Sequence, residues 1–229
     1  MRAMRWLVGV LMIAVIAVLA AFGLGGEVNR FRYRIVLDVD TPSGPVQGST
    51  VLEVEHRRMP DFWGSMANEA PDVKGEAVFV DLGGGRMLVA VLTVPDSSMG
   101  FLPVAAFDVD NRLEDQRNER FRRLARMAPG TSVVLPTALT PRMLVLLDAS
   151  APASARAISP DTFTTVLGPG YRLQQARVEI VPKDTPLNDT LRQKLPWWDS
   201  SGRPAISAVR AAGIRPPSSA EELFSTRTE

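Results

Sequence analysis

The residues able to do chemistry in this sequence fall into a few small groups, and their spacing limits what they could catalyse. Asp38/Asp40 and Glu53/Glu55 are carboxylate pairs two residues apart. On extended chain that spacing puts both members on one face. Two carboxyls about 5–10 Å apart in a cleft could hydrolyse a glycosidic bond. Arg30, Arg32 and Arg34 share the alternation, so surface ion pairing is the competing reading. His56 is the single histidine and precedes Arg57 and Arg58. No Gly-x-Ser-x-Gly or Ser-x-x-Lys pattern supplies it with a nucleophile, and it reads as a surface or strand-end residue. Asp108-Val109-Asp110 opens like a calcium loop, but Arg112 and Leu113 stand where that loop needs an acid and a glycine. These aspartates read as a strand exit and a helix cap. Gly83-Gly84-Gly85 joins two strand patterns and reads as a hairpin turn, not a phosphate cradle. Gly168-Pro169-Gly170 stops a helix, and Pro169 lacks the N–H that a phosphate nest would use.

Composition narrows the classes further. The 229 residues include no Cys and carry a formal net charge of +1. Disulfides, thiol catalysis, Cys-ligated zinc and iron–sulfur clusters are excluded, and one histidine forbids a multi-His metal site. The near-neutral balance argues against nucleic acid as a partner. The sequence implies no cofactor. Two surfaces remain for binding. The helix expected over Asn111–Ala128, capped by Asn111 with Glu114 three residues on, carries six Arg and three acids between Arg112 and Arg126. That face suits anionic lipid or an acidic partner, against a plain solvated face with pairs such as Glu119–Arg123. Trp197 and Trp198 are adjacent, so they point apart on any regular element. They are the candidate partner-binding residues, and the competing reading has them closing the end of a small core.

These groups must be positioned by the elements around them. Arg2 and Arg5 precede an uncharged run of 21 residues, Trp6–Gly26. A bilayer-spanning helix needs about 20 apolar residues, so residues 1–26 read as a transmembrane anchor contacting the lipid bilayer through 6–26. Cleavage at Val18-Leu19-Ala20 is the alternative. The leading arginines place the N-terminus inside. Residues 27–200 read as one exported domain, and 201–229 as a loosely ordered tail. Overall the expected fold class is α+β: a single transmembrane helix, then mostly antiparallel strands with a few short helices.

Within the domain, Phe31, Tyr33, Ile35, Leu37 and Val39 alternate with charged residues and predict a half-buried strand. Pro42-Ser43-Gly44 turns it, and a second strand follows over Ser49–His56. Setting Phe31 opposite Val54 and Tyr33 opposite Leu52 also brings Arg30 to Glu55 and Arg32 to Glu53. A three-residue loop misses this register by one, so a bulge is expected near Gln47-Gly48. Met59–Lys74 reads as a long loop held by Phe62 and Trp63. Glu76–Leu82 and Arg86–Val94 form a hairpin, and Phe101–Phe107 is a strand demoted towards an edge by Pro103. Strands are expected at Ser132–Leu135, Met143–Leu147 and Tyr171–Val181, a loop at Ala149–Ala157, and short helices at Ser159–Val166 and Asp189–Leu195.

Three stretches carry a resemblance: Phe31–Ile35 through Thr41-Pro42-Ser43-Gly44 to Gly48–Val54; Gly75–Leu82 with the glycines and Arg86; and Leu167–Leu173 through Val178-Glu179-Ile180 to Lys194-Leu195-Pro196-Trp197-Trp198. Over about two thirds of its length the chain resembles a group of proteobacterial membrane-anchored envelope proteins of unknown function. The resemblance implies an envelope location and brings over no activity or ligand. The expected protein is thus a single-pass protein of the bacterial inner membrane, its bulk in the periplasm. It would act as a binding or scaffolding module with an envelope protein partner. The alternatives are an exported hydrolase with an unplaced carboxylate pair and an accessory subunit of an inner-membrane complex.

Overall fold

The computed structural model describes residues 28–57, 71–95, 98–107, 117–195, 197, 203–214 and 224–226, together with Met12. Two antiparallel sheets form its frame. The first holds β1 (Val28–Thr41), β2 (Gly44–Arg57), β3 (Asp72–Lys74), β6 (Ser132–Val134) and β9 (Arg172–Val181), in the order β3-β2-β1-β9-β6. The second holds β4 (Val78–Gly83), β5 (Arg86–Ala90), β7 (Met143–Leu146) and β8 (Ala155–Ile158), in the order β4-β5-β7-β8.

The alternation along β1 decides how the first sheet faces. Phe31, Tyr33, Ile35, Leu37 and Val39 are buried against Val80, Leu88 and Val145 of the second sheet, leaving the charged residues on the outer face. The β1–β2 register is the one that pairs Phe31 with Val54, Tyr33 with Leu52, Arg30 with Glu55 and Arg32 with Glu53. The means differs from the expectation. Thr41 pairs directly with Gly44, so a two-residue turn sets the register and β2 carries no bulge. Gly44 takes φ 119°, a conformation open to glycine. The irregularity lies in β9 instead, where the register with β1 shifts between Asp38 and Val39.

The second sheet is apolar on both faces. Phe79, Met87, Val89, Leu144 and Leu146 point away from the first sheet into a second core. This explains the near-continuous apolar runs of β4, β5 and β7, which lack period-two alternation because neither face meets water. Among the described residues five α-helices complete the fold: α1 (Leu102–Ala106), α2 (Arg117–Arg126), α3 (Phe163–Leu167), α4 (Leu191–Lys194) and α5 (Arg203–Ala211). Leu191, Leu195, Ala208, Val209 and Phe224 cover the second core, so the layers run sheet, core, sheet, core, helices. Much of 201–229 therefore packs: α5 lies there, and Phe224 is fully buried.

Several expectations are corrected. The fold is α+β in the coarse sense of two antiparallel sheets with short helices, but the transmembrane helix of the expected fold class is not found. Among the described residues no helix is long and apolar enough to cross a membrane. The longest, α2, has 10 residues, about 15 Å of rise against a hydrocarbon core of about 30 Å. Residues 1–26, apart from Met12, lie outside the described residues. Phe101–Phe107 is not a strand. Pro103 sits in the first turn of α1, where its missing N–H and fixed φ favour a helix. Ala149–Ala157 is not all loop, since β8 begins at Ala155. Within Met59–Lys74, Asp72–Lys74 form β3 on the β2 edge, while Phe62 and Trp63 lie outside the described residues.

Two segments stitch these layers together at Glu76. The chain leaving β9 crosses to the second core by way of Asn188, whose Oδ1 accepts from the Val51 N–H at 2.9 Å. The Thr190 N–H then donates to Glu76 Oε2 at 2.9 Å. From the C-terminal side, Ser225 bridges Glu76 in antiparallel fashion. Ala77 N–H donates to Phe224 O at 2.8 Å and Thr226 N–H to Gly75 O at 3.0 Å. Glu76 is buried, and these bonds satisfy polar groups that would otherwise be costly there.

Candidate functional site

Four chain segments distant in sequence meet at one end of the second sheet and leave a cleft of about 340 Å³. Its walls include Met143 at the start of β7, Ile158 at the end of β8 and Ile214 after α5, with Arg142 and Asp161 adding opposite charges. Each wall has a local cause. Arg142 is fixed by the backbone, donating its N–H to Thr93 O and accepting from Val91 N–H, both at 2.9 Å. Ser159 and Thr162 form a reciprocal cap that starts the short 160–162 turn, with the Ser159 N–H on Thr162 Oγ1 at 2.8 Å. Gly213 takes φ 67°, closing α5 so that Ile214 N–H reaches Val209 O at 3.0 Å. That left-handed closure is the usual glycine ending of a helix. Ile214 is thereby turned towards the cleft.

The volume lies within the range of small-ligand sites, about 300–1,000 Å³. An apolar wall with one cation and one carboxylate suits a short amphipathic group better than a highly charged one. Arg142 is exposed, and among the described residues its side chain makes no ion pair or hydrogen bond. Nothing in the sequence pointed to this cleft, because its lining is drawn from positions 95 to 214.

The carboxylates that could have served hydrolysis lie elsewhere, on the outer face of the first sheet, and each is engaged. Glu53 accepts from Arg32 Nη2 at 2.7 Å, and Glu55 accepts from Arg57 at 3.0 Å besides pairing with Arg30. Asp38 accepts from Gln175 at 2.7 Å and Arg177 at 3.0 Å. Asp40 takes Arg172 and Gln174. Hydrogen bonds from Arg30 and Arg57 hold the Glu55 carboxyl below the usual range, against a smaller effect of burial. At Asp38 burial pushes upward, but hydrogen bonds from Gln47 and Gln175 and the charge of Arg177 prevail and lower it. A general acid needs a raised pKa. These shifts have the opposite sign.

The sign sets a pH prediction. A carboxyl whose pKa falls on folding adds stability above its unfolded value, about 4, and that stability is lost as pH falls through the folded value. Asp38→Asn is therefore expected to flatten the acid side of the stability curve. Urea unfolding at about pH 7 and about pH 3 checks it: the wild type should lose more stability between them than the variant.

The other sequence candidates are placed as follows. His56 is not a surface residue. It is 3% exposed and stacks on Phe121, with ring centroids 4.2 Å apart and planes 3° apart. Gly83, Gly84 and Gly85 turn the β4–β5 hairpin with positive φ at all three. Trp197 is half-buried, donates its indole N–H to Ala149 O at 2.8 Å and meets Phe224 edge-on at 6.3 Å. It closes the second core. Trp198 lies outside the described residues, as do Asp108, Asp110, Asn111 and Glu114. Among the described residues no group of three or more His, Cys, Asp or Glu could hold a metal ion.

No family model, curated protein or solved structure matches the chain.

Proposed function

We propose that this chain is an exported envelope module that works by binding a partner, and that residues 6–26 take it to the bilayer. The cleft between β7, β8 and the end of α5 carries this reading. It is the recess in which an exposed, unpaired cation, a carboxylate and an apolar wall come together. The near carboxylate pairs, by contrast, are tied to arginines in a structural lattice. Arg142 would anchor an anionic group of the partner, and Met143, Ile158 and Ile214 would bury its apolar part. The location rests on Arg2 and Arg5 ahead of the uncharged run.

Photocrosslinking in the native envelope tests the reading. A photoreactive side chain at Ala157, which lines the cleft and is exposed, is expected to yield one discrete protein adduct. Arg142→Glu in the same chain should abolish it. Arg156→Glu, on an exposed neighbour outside the lining, should leave it intact. An adduct insensitive to Arg142→Glu, or no adduct at all, would overturn the assignment of this cleft.

A further inference from the structure

We propose that α2 is a docking face for the anionic headgroups of the bilayer that residues 6–26 contact, an inference resting on that contact. The first observation is placement. One residue, Glu27, separates the last position of the uncharged run, Gly26, from the start of β1 at Val28. At about 3.3–3.6 Å per residue the chain reaches no further than about 7 Å between them. The end of the first sheet that carries Val28 must therefore lie close to wherever the run ends. Helix α2 packs at that end. Phe121 sits 6.4 Å from Phe31 and stacks on His56, whose strand partner is Asn29.

The second observation is charge. Between Arg117 and Arg126 the helix has five Arg and one acid, Glu119, and Glu119 is taken by Arg122 at 2.6 Å. Phe121 and Leu124 are buried. With 100° per residue, that orientation sends Arg123 and Arg126 to the opposite face, and both are exposed. Among the described residues neither of these two makes an ion pair or a side-chain hydrogen bond, whereas Arg120 has its Nε and Nη2 buried and is not part of this face. The outer face of the first sheet makes the contrast. There Arg30, Arg32, Arg34, Arg57, Arg172 and Arg177 each have a carboxylate partner. On that sheet face these arginines are paired, whereas Arg123 and Arg126 of α2 stand exposed without a carboxylate. A guanidinium takes phosphate oxygens two at a time, and an anionic membrane surface supplies them at the distance that the short connection imposes.

The absence of Cys makes a clean test. Ala128→Cys, an exposed site just after α2, and Ser150→Cys, an exposed site on the β7–β8 connection, are each labelled with a fluorophore in the full-length chain. The chain is reconstituted into vesicles of phosphatidylcholine alone, or with phosphatidylglycerol at about one lipid in three, with a headgroup spin label as quencher. The position-128 label should be quenched only in the anionic vesicles, and about 0.5 M salt should relieve it. The position-150 label should not respond. In an Arg123→Gln/Arg126→Gln chain, both at exposed positions, the quenching should require far more anionic lipid, about fivefold per arginine and about 25-fold together. If that variant melts early, Arg126→Gln alone replaces it, with the shift expected to be about fivefold.

Quenching that is equal in neutral vesicles or indifferent to the substitutions overturns the inference. So does no quenching on anionic vesicles when polyglutamate binds the labelled face, which would point to an acidic protein. A chain that fails to float with vesicles of either composition overturns the bilayer contact itself, a different failure.

Discussion

Replacing Phe224 with Ala is expected to lower the unfolding free energy by about 3–5 kcal/mol, as for other fully buried aromatics. Phe224 is 0% exposed, lies in the second core, and belongs to the short antiparallel join between residues 224–226 and 75–77. Its ring meets Trp197 edge-on at an interplanar angle of 89°. Trp197→Ala should cost less than a fully buried Trp would, because Trp197 keeps part of its surface in water. The double variant should lose less than the sum of the two, since the rings share one contact. Denaturant titration of the four chains measures this. A Phe224→Ala loss below about 1 kcal/mol would mean that the C-terminal segment is not seated on the second core.

Phe121→Ala should have an effect of the same size, about 3–5 kcal/mol, through the other core. Phe121 is 0% exposed and touches the rings of Phe31, Phe101 and His56. Phe121→Leu keeps most of the volume and should cost clearly less. The single histidine gives this prediction an independent reading. In the wild type the imidazole lies flat over the Phe121 ring. Both substitutions remove the ring current, so the His56 proton resonances should move downfield in each. An unchanged His56 resonance in the Leu variant would show that the stacked arrangement is not the one in solution.

Particular elements show how far sequence reasoning reaches here. The β1–β2 register was legible because hydrophobic alternation and charge complementarity agree on one pairing, and a slip of one residue would turn every side chain over. The bulge was misplaced because loop length was counted from the turn residues. Thr41 and Gly44 are already paired, and the irregularity sits in β9, a strand the first hairpin says nothing about. The α1 segment misled because seven apolar residues without a period fit a strand or a helix equally. Only Pro103 in the first turn decided it. The short β8 was hidden by Ala155 and Ala157, which have weak strand preference and owe their conformation to β7. The cleft was invisible for a stronger reason. No motif marks it, and its wall residues become neighbours only once the second sheet and α5 are in place. For the Trp pair, closing a core was only the competing reading and did not single out Trp197, and nothing in the sequence pointed to its partner Phe224.

The stitch at Glu76 also fixes an order of events. Residues 75–77 leave the ribosome early, but their partners are residues 190 and 224–226. A hydrogen bond such as Gly75 N–H to Thr226 Oγ1 spans 151 positions, and loops of that size close slowly. The outer face of the second sheet gains its cover only from residue 191 onward, and the Phe224 segment completes it.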